Sequence, residues 1–68
     1  MLKPGTYVTD RSDSGRYDKA VHCVVGAVGP DGDQTVVRYV GSVVKGRIEY
    51  ARNQPTTHRT TANLQVWP

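Results

Sequence analysis

The chain has 68 residues, one cysteine and a formal charge of +3, with nine Lys+Arg against six Asp+Glu. That length holds one small domain, residues 1–68, and excludes a multidomain enzyme. No apolar run approaches the ~18 residues of a membrane helix, and a lone cysteine excludes an internal disulfide. The chain turns polar directly after Met1-Leu2, which leaves no export-signal pattern, and a cytoplasmic location is the expectation.

The apolar residues are unevenly chosen: eleven valines, two leucines, one isoleucine and no phenylalanine, joined by seven threonines and four tyrosines. Val, Thr and Tyr suit a pleated, half-buried surface and are mediocre helix formers. The expectation is an all-β domain. Charge is also uneven. Residues 1–33 sum to −1 and residues 34–68 to +4. A basic half points to an anionic partner, and it is equally what a solvated surface looks like.

In chain order, Thr6-Tyr7-Val8-Thr9 reads as the first strand, after the Pro4-Gly5 turn. Residues 10–19 are polar except for Tyr17 and read as a long surface loop, with Tyr17 as an exposed aromatic anchor for a partner. The second run covers residues 20–28. Asp31-Gly32 then marks a hairpin, because such a turn needs φ > 0 and Gly supplies it. The third run covers residues 34–44, with Gly41-Ser42 as a bulge or bend. Lys45-Gly46 makes a second tight turn into Arg47-Ile48-Glu49-Tyr50-Ala51. Residues 52–57 read as a polar loop, and a turn of 3-10 helix is placed near residues 61–63. Leu64-Gln65-Val66 is the last strand.

Strand parity assigns the faces. Ile48, Tyr50, Leu64 and Val66 fall to the core, as does Tyr39. In the central hairpin both faces are valine-rich, and the second face carries Val24, Val28, Val36, Val40 and Val44 with His22 and Arg38. Burying each valine contributes about 1.5 kcal/mol or more, so five exposed ones would forfeit an energy comparable to the stability of a domain this small. Either a second copy covers them in a two-fold homodimer, or a strongly coiled, closed barrel lets long strands serve both sides of a bend. The homodimer is the reading adopted, with these five valines and Tyr17 as the protein interface.

The order of short strand, long polar loop, three-strand meander, short turn and final strand resembles the small SH3-like barrels of the KOW and Tudor type. The residues that carry the likeness are Leu2-Lys3-Pro4-Gly5-Thr6-Tyr7-Val8, the hairpin around Asp31-Gly32, and Thr61-Ala62-Asn63-Leu64-Gln65-Val66. The resemblance implies a five-stranded antiparallel barrel with at most one short 3-10 turn. It also implies binding of protein, peptide or nucleic acid rather than catalysis. The composition, rich in Val, Gly, Arg and Thr, resembles that of small bacteriophage proteins, which would make this an accessory protein of that kind.

Constellations for chemistry are sparse. His22 and Cys23 are adjacent on a strand and point to opposite faces, so they do not share an ion, and no metal or cofactor is expected. Cys23 reads as a small buried apolar residue and His22 as a surface or interface residue. Asp31 and Asp33 lack the further oxygen ligands of a calcium loop. Ser12 and Ser14 sit in no nucleophile motif. The expected activity is therefore binding through protein contacts or self-assembly. The alternative is nucleic-acid binding through Arg38, Lys45, Arg47, Arg52 and Arg59, with Tyr39, Tyr50 or Trp67 to stack on bases.

Overall fold

Alternation in the first strand fixes the inside of the molecule. In β1 (Tyr7–Asp10) Val8 and Asp10 turn to one side and Tyr7 and Thr9 to the other. Val8 is fully buried and Asp10 is buried beside it. The computed structural model describes residues 2–15 and 19–68, so the expectation for Tyr17 lies outside the described residues. The remaining elements are β2 (Ala20–Val28), β3 (Gln34–Val44), β4 (Arg47–Tyr50), β5 (Thr56–Thr60), a 3-10 turn (Thr61–Asn63) and β6 (Leu64–Val66). Among the described residues there is no α-helix, and no helix is long and apolar enough to cross a membrane.

All pairings are antiparallel, in the order β4-β3-β2-β1-β6, with β5 also on β3. The result is an open six-stranded sheet, which corrects the expected closed five-stranded barrel. The sixth strand follows from the length of β3. Its first half, Gln34 to Arg38, pairs with β5, and its second half, Gly41 to Val44, pairs with β4. At the changeover the Tyr39 N–H donates to the Pro55 carbonyl, and the Ala51 N–H donates to the Val40 carbonyl. Two short strands thus share one outer edge. The expected polar loop of residues 52–57 overlaps the start of β5: Thr-Thr-His-Arg-Thr carries no apolar residue to mark a strand, yet threonine suits one and an edge strand needs no second apolar face.

Closure fails at the opposite side. β6 pairs with β1 only and β5 with β3 only. The 3-10 turn bridges the two edges instead, with the Thr61 N–H on the Asp33 carbonyl and the Asn63 carbonyl accepting from the Arg11 N–H. The body is accordingly elongated, 37 × 21 × 18 Å.

The turns follow their residue types. Gly32 has φ +65° in the β2–β3 connection, and the β3–β4 turn places Lys45 at φ +52° and Gly46 at φ +78°, the two positive values a tight two-residue hairpin requires. Gly41 is needed for another reason: a Cβ there would collide with the Glu49 carbonyl of the paired strand.

Two β-bulges set the faces of the central hairpin. Val24 pairs with Val37 and Gly26 with Val36, so Val25 is an extra residue in β2. Val21 pairs with Gly41 and His22 with Tyr39, so Val40 is an extra residue in β3. Each bulge inverts the alternation beyond it. The inner face consequently collects Val8, Val24 and Val37 as a core cluster, with Leu2 and Leu64 packed on it. Ala20 through Val24 are five consecutive buried residues, because the other face of that stretch is covered as well.

Candidate functional site

The structure redistributes the proposed interface valines. Val24 (2% exposed) and Val40 (1%) are buried inside the single chain, Val28 and Val36 are half-buried, and only Val44 is exposed. The five do not form one open face. Val24 and Val40 are covered within the single chain. Val25, the bulged residue, is exposed instead.

The aromatic residues also move. Tyr50, expected in the core, is 61% exposed, and Val66 is exposed at the end of β6. Tyr39 and Trp67 are half-buried. Register places Tyr7, Cys23 and Arg38 in one row across β1, β2 and β3, and Val21, Gly41 and Tyr50 in the next. All six lie on the face opposite Val8 and Val24. Tyr7 and Tyr50 lie in neighbouring rows of this face. Val21 and Cys23, on strands between them, are buried. The influence of Tyr50 lifts the Tyr7 phenol above its ordinary 10.0, while the nearby Arg38 guanidinium works the other way.

A polar cluster that the sequence reading did not assemble lies on the inner face. Arg59 of β5 donates from Nη1 to Asp10 Oδ2 at 3.0 Å and to Asp13 Oδ1 at 2.8 Å. Asp10 and Asp13 are nearly enclosed, and the Arg59 side chain is 29% exposed. Ser12 turns back on Asp10, donating from its N–H at 2.8 Å and its hydroxyl at 2.7 Å. Burial works to raise the Asp10 pKa, but the bonds from Ser12 and Arg59 outweigh it and hold the carboxyl below its ordinary 3.8.

His22, expected at a surface or interface, is 2% exposed. Its Nε2 lies 3.5 Å from Asp13 Oδ2, and its ring meets Tyr39 edge-on at 5.8 Å. Burial pushes its pKa below 6.5 against the pull of Asp13. The neutral ring with the proton on Nε2 leaves Nδ1 as a buried acceptor without a partner among the described residues. A cavity of about 270 Å³ opens here, lined by Asp13, Ala20, His22, Tyr39, Pro55 and Arg59. Among the described residues no three His, Cys, Asp or Glu side chains converge where an ion could sit. One signal for the cluster was present in the sequence: Asp10 stands two residues after Val8, on the same side of the strand. Arg59 gives none, because the sequence assigns no strand to residues 56–60.

Of the basic set, Arg38, Lys45, Arg47 and Arg52 are exposed. Arg38 shares a face with the tyrosines, Lys45 forms the tip of the β3–β4 ribbon, Arg47 pairs opposite Val44 on the other face, and Arg52 follows β4. Arg59 leaves the set, since its charge is taken up by Asp10 and Asp13. This inward pairing changes the surface balance. Among the described residues seven Lys and Arg are exposed against three Asp and Glu. No known family model, curated protein or solved structure matches the chain.

Proposed function

We propose that the protein is a non-enzymatic binding module that engages a polyanion, a nucleic acid, through the β3–β4 ribbon and the adjoining Tyr7–Tyr50 face. The observation that carries this reading is the charge segregation. Asp10 and Asp13 are withdrawn into the molecule on a single arginine, so the surface is more basic than the formal charge of +3 conveys. Phosphate backbones bind such surfaces by releasing counterions. The strand order β6-β1-β2-β3-β5, with the 3-10 turn ahead of the last strand, supports the likeness to an SH3-like module in which β4 is an added edge strand.

The test is a titration of fluorescently labelled DNA at low and high salt. Affinity should fall linearly in log[salt], with a slope of about −0.7 per neutralised phosphate on single strands. Arg47→Glu should weaken binding and flatten the slope. Absence of binding at low salt would end the proposal. A second reading, self-association or a protein partner, is favoured by the exposure of Val44 beside the open edge of β4. A mass that doubles with concentration in light scattering would support it.

A further inference from the structure

We infer that the face carrying Tyr7, Tyr50 and Arg38 is a stacking platform for unpaired bases, so that the preferred ligand is single-stranded nucleic acid rather than duplex. This rests on the polyanion reading and narrows it. A surface that only neutralises phosphates needs cations and no aromatic rings. Here the most exposed large ring among the described residues, Tyr50, sits on the same sheet face as Arg38, not among the other cations at the ribbon tip.

Three features make Tyr50 a platform rather than a stray exposed ring. It lies in the row next to Tyr7 and Arg38 by strand register, so the rings and the guanidinium occupy one face. Its ring is open to solvent, with Tyr50 61% exposed. The backbone beneath is fixed at Gly41, where β3 and β4 approach too closely to admit a Cβ. An ordered, exposed ring gives a base its π-face at little entropic cost. Arg38 beside it serves either as a phosphate partner or as a second flat cation against a base. In a duplex the base faces are already stacked and inaccessible, so such a platform discriminates against paired strands.

The experiment measures anisotropy of a labelled oligothymidylate at low salt, with competition by unlabelled duplex DNA and by inorganic polyphosphate, which has charge and no bases. The single strand should bind at least tenfold more tightly than either competitor. Tyr50→Leu should lower its affinity about 5- to 150-fold, the range for loss of one stacked base. Tyr50→Phe should retain most of it, since the ring remains. An unchanged thermal midpoint in both variants shows that the fold is intact. If duplex or polyphosphate competes as well as the single strand, or if Tyr50→Leu binds like the parent, the platform is refuted while polyanion binding stands. If no polyanion binds at all, both fall together.

Discussion

Removing the Arg59 guanidinium should unmake the inner face. In Arg59→Met the aliphatic stem is retained and two short charge-assisted bonds are lost, at 3.0 and 2.8 Å, to carboxylates that are nearly enclosed. Breaking a buried ion pair by deleting one partner costs about 3–5 kcal/mol, because the remaining charge is stranded. Arg59 is itself 29% exposed, so water relieves part of that penalty, and about 2–3 kcal/mol is the expected loss. For a domain of this size that is a large share of total stability, and a drop of roughly 10 °C or more in Tm follows. Urea titrations followed by circular dichroism, at neutral pH and stepwise into acid, measure it. The pH dependence has a definite sign. In the parent, Asp10 is depressed below 3.8 when folded, so its contribution is complete above that value and is lost only as pH falls through the lower folded pKa. Without Arg59 burial goes less opposed, the Asp10 pKa rises, and acid unfolding begins at higher pH. Asp10→Asn in the Arg59→Met background should restore part of the loss. A deficit below ~0.5 kcal/mol at neutral pH, or no shift in the acid limb, would refute the reasoning.

Other outcomes follow from single contacts. His22 is held below 6.5, so the unfolded chain takes up its proton first, and stability should be full above pH 6.5 and decline below it until the folded pKa is passed. His22→Phe keeps the edge-on ring packing against Tyr39 and should remove that decline, which a series of thermal melts between pH 7 and 5 would show. Gly41→Ala forces a Cβ into the Glu49 carbonyl of β4 and should cost about 1–3 kcal/mol in urea midpoint experiments. Val40→Lys places a charge at a site 1% exposed, so it should unfold the isolated chain rather than merely separate two copies; a folded, monomeric variant would contradict the observed burial.

Much of the fold is written in local chemistry. The limits of β2, β3 and β6, the Lys45-Gly46 turn, the 3-10 turn at Thr61–Asn63 and the burial of Cys23 all follow from propensity and turn residues. What pattern could not supply is phase. Strict alternation puts Tyr50 and Val66 inside and His22 at a surface or interface; the bulge at Val40 turns Tyr50 to the other face, Val66 is exposed at the end of β6, and His22 keeps the face of Val24, which is covered within the chain. Glycine marks such a bulge only loosely: Gly41 stands beside Val40 and Gly26 beside Val25, but neither fixes which residue is the extra one. The polar cluster was hidden for a related reason. Asp10, Asp13, His22 and Arg59 stand on separate stretches of chain, and only the pairing of β5 with β3 brings Arg59 across to the acidic pair.

The two offsets in the central hairpin cancel. Ala20 with Ser42 at one end and Val28 with Gln34 at the other keep the spacing of an unbroken ladder, and only the three pairs from His22–Tyr39 to Val24–Val37 are displaced. The hairpin is therefore equivalent to a regular one that gained a single residue on each arm. Such paired insertions rotate a short central window, and with it His22 and Val24, without disturbing the connection beyond either end.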